Sequence, residues 1–493
     1  MEKVGKKVQN KNNNMANGLF WKLMERFGVQ GTQFLLSLYL ARILAPEHYG
    51  ALSMMVIFTS LATVFIEGGL NTSLIQNKDV TEEDYSSIFW VSLTVAAILY
   101  SVIFLATPAI AAFYRMPEII WPLRVLALML LPGALNSVQL AKISRKMDFK
   151  KVFYSNVGGI LIAGAAGIVL AKLGGGLWAL VAQRLLNTVV TCIVMFVTVK
   201  WRPRFVCNFQ RVKILFRFGW KILISRLLDT LYADLNSLVI GRKYNSSTLA
   251  YYNRGKHFPQ FIINSVNGAV RSVMLPAMSA QQNDKGKLKQ LMRNSMTMSA
   301  YIIFPMMAGL AAVATPLVRL LLTDKWLPCV PYLQVYCFSQ AFYPIHSCNV
   351  QAINAMGRSD LFLMRELSKK CYGMVALALA VFCCDSPLAI AMTGLITTWI
   401  SWFVNAFPNK RLIGYSYKEQ IFDLFPILFM ALGMCGLVLL VGSWCQRAGM
   451  LPLVTMIVQI IVGVAVYLVL SMILKPSPYG KLMNQIKSLR KRK

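Results

Sequence analysis

Fourteen apolar runs of membrane length, separated by gaps too short to fold alone, leave this chain one kind of solution. Their approximate spans are 18–44, 51–76, 87–112, 119–140, 154–172, 177–199, 215–241, 258–280, 294–322, 329–353, 361–383, 387–407, 421–441 and 452–474. About 20 apolar residues cross a bilayer as a helix, and a helix satisfies its own backbone there. The spacing predicts an all-α polytopic membrane protein of about 14 transmembrane helices. No gap exceeds about twenty residues, so no soluble catalytic domain fits between spans.

The chain is 57% hydrophobic yet carries a net charge of +32. The charge does not point to nucleic acid. Its basic residues gather in short gaps, as in Lys142, Arg145, Lys146, Lys150 and Lys151, and again in Lys200, Arg202, Arg204, Arg211 and Lys213. Every second gap is basic, which by the positive-inside rule predicts cytoplasmic termini. The basic tail is suited to anionic lipid headgroups. Two gaps break the alternation. Residues 77–85 should be cytoplasmic but hold Asp79, Glu82, Glu83 and Asp84. Residues 242–257 should be external but hold Arg242, Lys243, Arg254 and Lys256; Arg242 and Arg254 are candidate outer-mouth cations. The ten cysteines form no CxxC pair, and the three histidines are far apart. No metal site, disulfide framework or cofactor is expected. Residues 1–16 are polar and basic, without a cleavable signal pattern.

Charge also sits where lipid would not tolerate it. On residues 220–242, Arg226, Asp229, Thr230, Asp234, Asn236 and Ser237 share one helical face and leucines the other. Three such charges facing lipid would cost roughly 8 kcal/mol. On the next run Gln260, Asn264, Asn267 and Arg271 form one polar stripe. The pattern recurs at an offset of 200 residues: Arg26 aligns with Arg226, Ser37 with Ser237, Arg42 with Arg242, and Gly68 with Gly268. Arg26, Gln30, Gln33 and Ser37 share a face of the first span, while Ser60, Glu67 and Asn71 share a face of the second. Six helices per repeat keep both halves in the same orientation. Such repeats pack about an axis along the membrane normal, with the substrate site expected between them. The reading is two pseudo-symmetric six-helix lobes, 17–213 and 214–413, then two helices over 414–474. A basic segment (1–16) and a basic tail (475–493) flank them.

Four passages carry a family resemblance: FWKLMERFGVQGTQFLLSLYLARILAPEHYGALSM, FIEGGLNTSLIQ, FGWKILISRLLDTLYADLNSLVIGRKYNSSTLAYYNRG and VMLPAMSA. Pro46, Tyr49 and Gly50 match an L-x-P-x-x-Y/F-G run. The chain resembles the polysaccharide exporters of the multidrug/oligosaccharidyl-lipid/polysaccharide (MOP) superfamily, in the Wzx-type lipopolysaccharide and colanic-acid branch. The resemblance covers nearly the whole chain. It implies a flippase that moves an undecaprenyl-diphosphate-linked oligosaccharide across a bacterial plasma membrane by alternating access. A polysaccharide polymerase and other assembly proteins are the implied partners. It also implies a cationic cavity, in which Arg26, beside Glu25, matches an arginine of the related peptidoglycan lipid flippases. Arg271 is the match for a second.

The residues leave two readings of these charges open. Arg26, Arg226 and Arg271 can grip a diphosphate through forked, charge-assisted hydrogen bonds, with Gln30, Gln33, Asn264 and Asn267 beside them. Alternatively they pair with Glu25, Glu67, Asp229 and Asp234 and hold helices together. Glu67, Asp229 and Asp234 are also candidate sites for a coupling proton or sodium ion. A purely structural membrane scaffold would have no reason to keep matched charged stripes in both halves, and two further rival functions stand beside the flippase. A drug or cation antiporter of the same superfamily would favour carboxylates and aromatics over arginines. A membrane-embedded glycan polymerase would need a large external catalytic loop, and no gap is long enough. The sequence reading expects no enzyme.

Overall fold

The computed structural model describes residues 21, 28–77, 79–146 and 148–490. Every regular element among them is helical. The first helices are α1 (Gln30–Ile43), α2 (Pro46–Glu67), α3 (Leu70–Gln76), α4 (Glu82–Tyr114), α5 (Ile120–Ala127), α6 (Leu130–Lys146), α7 (Phe149–Lys172), α8 (Leu177–Val199) and α9 (Phe209–Lys243). Then come α10 (Ser246–Ser279), α11 (Lys285–Ala312), α12 (Ala314–Leu322), α13 (Val330–Ala341), α14 (Tyr343–Ala355) and α15 (Ser359–Cys383). The last are α16 (Pro387–Ile413), α17 (Tyr417–Arg447), α18 (Pro452–Leu474) and α19 (Ser477–Arg490).

Nine segments among the described residues are long and apolar enough to cross a membrane. They include α2–α3 taken together, α4, the stretch Pro117–Arg145, α7, α8, α11, α16, α17 and α18. The other expected spans fall on α1, α9, α10, α13–α14 and α15. Two of these show why composition passes them over: α9 carries Arg226, Asp229 and Asp234, and α15 carries Arg365, Glu366, Lys369 and Lys370.

Several expected spans are not single helices. The run 119–140 breaks at Leu128–Met129, 294–322 breaks at Val313, and 329–353 breaks at Phe342. Each break lies two to four residues before a proline: Pro132, Pro316 and Pro344. A proline lacks an N–H, and its ring collides with the carbonyl four residues back. The rule does not run in reverse, since Pro108, Pro305 and Pro426 sit inside continuous helices. The run 51–76 is interrupted at Gly68–Gly69.

Packing divides the chain into a unit that ends at Ala250 and one that begins at Tyr251. In the first unit α7 and α8 form a tight antiparallel pair. The buried face of α7 is built from small residues, Gly159, Ala163, Gly164, Gly167 and Ala171, which let helices approach closely where no water drives association. Helix α9 packs against α2, α3 and α4. The repeat boundary read at 213–214 is therefore a boundary in sequence, whereas the first packing unit retains α9. The repeat itself is visible in the element pattern: α1 ends at Ile43 and α2 starts at Pro46, while α9 ends at Lys243 and α10 starts at Ser246.

Two backbone crossings hold the first unit's charged helices in place. A Cβ on Gly50 would stand 1.7 Å from the Ser246 carbonyl oxygen. A Cβ on Gly219 would stand 2.6 Å from the Gly69 carbonyl oxygen. Beside the second crossing, Ser73 Oγ donates to the Leu215 carbonyl at 3.0 Å. The glycine of the L-x-P-x-x-Y/F-G run thus has a steric reason: no other residue lets α2 start against Ser246.

The acidic stretch at 77–85 also finds its reason. Thr81 and Asp84 form a capping box on α4. Arg211 donates to both carboxylate oxygens of Asp84, at 2.9 and 2.8 Å. Glu82 accepts from Lys142 Nζ at 2.6 Å and from Trp201 Nε1 at 2.8 Å. These acids tie the loop ends of α4, α6 and α9 together. The second unit has its own seam, in which Asp423 accepts from Tyr415 at 2.7 Å and pairs with Arg293, and Glu419 pairs with Lys289 at 2.9 Å. There α11 packs on α17, α17 on α18, and α15 on α16.

Gly50→Ala and Gly219→Ala should each force backbone apart and destabilise the protein by about 3 kcal/mol or more. Gly133→Ala, where an added Cβ meets nothing within 4 Å, should be neutral or stabilising by about 0.5–1 kcal/mol. Thermal unfolding of purified variants checks this, and equal melting of all three would refute the crossings as described.

Candidate functional site

The polar face of α9 meets α2 in the first unit. Ser60 Oγ on α2 donates to Asp234 Oδ2 on α9 at 3.2 Å. Arg226 on α9 interacts electrostatically with Glu67 at the end of α2. Tyr114, at the end of α4, lies within electrostatic reach of Asp234. Its hydroxyl is buried without a hydrogen-bond partner among the described residues. Phe58 stands edge-on to Tyr114, with ring centroids 6.2 Å apart. Arg226, Asp229 and Glu67 are exposed, Asp234 is half-buried, and Ser237 is buried. The face is thus a row of accessible charges on a helix whose other side is leucine.

The 200-residue offset aligns α1 with α9, but the direct contacts of the α9 face are to α2. Of the carboxylates read as pairing candidates, Glu67 lies within electrostatic reach of Arg226 across helices. The interruption at Gly68–Gly69 ends α2 at Glu67. Tyr114 had no charge-stripe signal and was not anticipated. Gln30 and Gln33 are exposed on α1. Glu25 and Arg26 lie outside the described residues.

In the second unit, Asn264 is exposed on α10. The side chains of Asn267 and Arg271 lie outside the described set. The expected outer-mouth cations part company. Arg242 is exposed, its guanidinium 5.3 Å over the Phe113 ring. Arg254 is only 8% exposed, and its guanidinium lies 5.0 Å over Trp326. Arg254 is therefore a packed cation rather than an open-mouth one, because the turn Asp324–Cys329 brings an indole to cover it. The Arg124 guanidinium lies 4.2 Å over Phe104 and 5.0 Å over Trp121.

Chemically, the α2–α9 face can hold and release charge. A guanidinium beside a carboxylate can exchange that partner for a phosphate, whose oxygens match its fork. A carboxylate freed in this way can take a proton or a cation.

Comparison with known proteins places this geometry. Residues 39–331, more than half of the chain, match the family described as polysaccharide biosynthesis protein. The chain is 25% identical over 408 residues to the succinoglycan biosynthesis transport protein ExoT of Rhizobium meliloti, covering 83% of this chain and 80% of that one. It is 26% identical over 308 residues to the teichuronic acid biosynthesis protein TuaB of Bacillus subtilis, covering 62% and 63% of the two chains. It is 21% identical over 430 residues to the lipopolysaccharide biosynthesis protein WzxC of Escherichia coli, covering 84% and 85%. Among solved structures, the lipid II flippase MurJ in an inward closed conformation superposes with a TM-score of 0.74 at 14% identity, covering 94% of this chain and 100% of that one. An inward-facing multidrug resistance MATE family transporter of the MOP superfamily superposes at 0.60 and 17% identity, covering 77% and 95%. The chain belongs to the polysaccharide biosynthesis protein family, and it shares the fold of the lipid II flippase MurJ and of that MATE family transporter.

Proposed function

We propose that this protein is a flippase that carries an undecaprenyl-diphosphate-linked oligosaccharide across the bacterial plasma membrane by alternating access. The observation that carries the reading is the polar α2–α9 face, where Arg226 and Glu67 are exposed and Ser60 donates to Asp234, on helices of membrane length in a chain of this family. A diphosphate is the group whose charge and oxygens suit an accessible guanidinium. ExoT, named a transport protein, and TuaB and WzxC, named for polysaccharide biosynthesis, support transport of a glycan precursor over catalysis. Arg26 and Arg271 are proposed to complete the cationic surface. A polymerase that consumes the exported unit is the proposed partner.

The drug or cation antiporter is the weaker reading, because the relatives ExoT, TuaB and WzxC are named for polysaccharide biosynthesis or its transport. In the proposed cycle the incoming diphosphate competes with Glu67 for Arg226. The released carboxylate, or Asp229 or Asp234 beside it, then binds a proton or sodium ion. No nucleotide-binding GxxxxGK[ST] run is present to supply energy.

Arg226→Ala should leave the protein in the membrane and lower export of the surface polysaccharide by tenfold or more, about 1.4 kcal/mol or above. Arg226→Lys should rescue it partly, since a point charge lacks the fork. Arg26→Ala and Arg271→Ala should behave like Arg226→Ala. Surface polysaccharide and accumulated lipid-linked precursor are the readouts, and normal export by all three alanine variants would sink the cationic site.

Ion coupling is tested in proteoliposomes with imposed proton or sodium gradients. Wild-type transport should respond to one of them, and Asp229→Asn should lose that response. A wild type indifferent to both gradients rules out coupling, whereas a fully responsive Asp229→Asn moves the role to Glu67 or Asp234.

Both termini are proposed to be cytoplasmic, with the α9–α10 connection outside. A lone cysteine at position 253, in a cysteine-free background, should then react with an impermeant thiol reagent in intact cells. Reaction only after the membrane is breached would invert the proposed orientation.

A further inference from the structure

Arg184 is the only charged residue of α8, and it stands about 10 Å along the helix from Leu177, inside a segment of membrane length. Its side of the helix is not the one that lipid would cover. Trp178, Ile193 and Val197 are exposed along one stripe, and Arg184, nine residues before Ile193, points half a turn away from it. On the Arg184 side, Leu180, Val181 and Met195 are buried. Arg184 is nevertheless exposed, with its guanidinium deep among protein atoms. Its carbonyl accepts from Thr188 Oγ1 at 3.2 Å, but its side chain has neither an ion-pair nor a hydrogen-bond partner among the described residues. A cation so placed within a membrane-length helix needs water or an anion.

The neighbouring helix supplies unmatched amides. Helix α6 packs against α8, and Ile143 and Met195 share a core cluster there. Gln139 and Asn136 lie one and two turns before Ile143 on the same side of α6. Thr191, Thr188 and Arg184 lie one, two and three turns before Met195 on the same side of α8. Alternate spans cross in the same direction, so the polar groups that precede this apolar contact on both helices fall into one seam. Gln139 is fully buried, and neither its Nε2 nor its Oε1 has a hydrogen-bond partner among the described residues. The buried Asn136 Oδ1 has none either. Unmatched buried amides are costly. An enclosed water can satisfy them, but it does not answer the charge of Arg184. The seam therefore offers an unpaired guanidinium fork beside amides with free donors and acceptors, and phosphate oxygens match that fork.

We propose that the α6–α8 seam is a phosphate site, in which Arg184 grips a phosphate of the lipid-linked substrate and Gln139 hydrogen-bonds beside it. The proposal rests on the flippase reading for the source of the phosphate, and on none of the residues of the α2–α9 face. A diphosphate leaving Arg226 then has a second cation to move to within the same unit.

The test uses the full chain in phosphatidylcholine nanodiscs, with inorganic pyrophosphate as the probe. Arg226→Ala protein should still bind pyrophosphate, and adding Arg184→Gln should weaken that binding about tenfold, the loss expected for one charge-assisted hydrogen bond. Arg184→Lys should lose less, because it keeps the charge without the fork. Gln139→Leu should weaken binding while melting at or above the wild-type temperature, since leucine leaves no amide unmatched. Arg184→Cys, in a cysteine-free background, should react with a water-soluble methanethiosulfonate, and pyrophosphate should slow the reaction. No reaction would put position 184 against lipid, and unchanged pyrophosphate binding by Arg184→Gln would leave the seam as packing; either result overturns the site. Undecaprenyl diphosphate should compete with pyrophosphate at Arg184, and phosphatidylglycerol should not. The reverse makes the occupant a phospholipid headgroup and overturns the proposal as stated. In proteoliposomes, Arg184→Gln should slow transport of the host's lipid-linked repeat unit. Failure of wild type to transport that unit defeats the flippase reading, while the pyrophosphate measurements decide the site independently.

Discussion

Charge on a membrane-length helix must be met by something other than lipid, and the first unit is arranged around that requirement. The three charges of α9, Arg226, Asp229 and Asp234, would cost roughly 8 kcal/mol against hydrocarbon. Their face is turned to α2 instead, where Glu67 and Ser60 answer two of them. That meeting depends on backbones coming closer than side chains normally allow. Gly219 against Gly69, and Gly50 against Ser246, set the spacing. The polar face therefore rests on glycines that carry no chemistry themselves.

The same economy of charge appears at the loop ends. Acidic residues that break the alternation of basic gaps are the anchors of that alternation's cations. Asp84 holds Arg211, and Glu82 holds Lys142 and Trp201. Charges in the loops count toward orientation, and a subset is also spent in fastening helices to one another. The fastening is stronger for Asp84, which is 1% exposed, than for a pair in open water.

The two units treat polar groups differently. In the first, charges are exposed along a helix face, suited to a ligand that exchanges partners. In the second, hydroxyls, amides and a buried guanidinium line a polar space that opens to the surface at Phe362 and Lys369, and Arg365 Nε, His346 Nε2 and Ser347 Oγ in its wall have no hydrogen-bond partner among the described residues.

Much was legible from the residues alone. Apolar runs of membrane length and short gaps dictate an all-helical membrane protein, because a continuous apolar run of about 20 residues crosses lipid with its backbone satisfied as a helix. The polar stripe of α9 follows from helical periodicity, and the repeat from an offset that reappears in the α1–α2 and α9–α10 junctions. Tertiary structure decided the rest. Proline alone does not say where a helix breaks: Pro132, Pro316 and Pro344 follow breaks and Pro305 does not, since neighbouring groups can satisfy the freed carbonyl. Sequence periodicity put Arg226 and Asp229 on one face of α9, while packing against α2 set Glu67 within electrostatic reach of Arg226. It left Arg254 in a loop, while packing laid it under Trp326. The second unit's cavity escaped notice because its residues come from four helices, and no single helix shows them as one stripe. Periodicity reports which face of one helix is polar; only packing reports what that face meets.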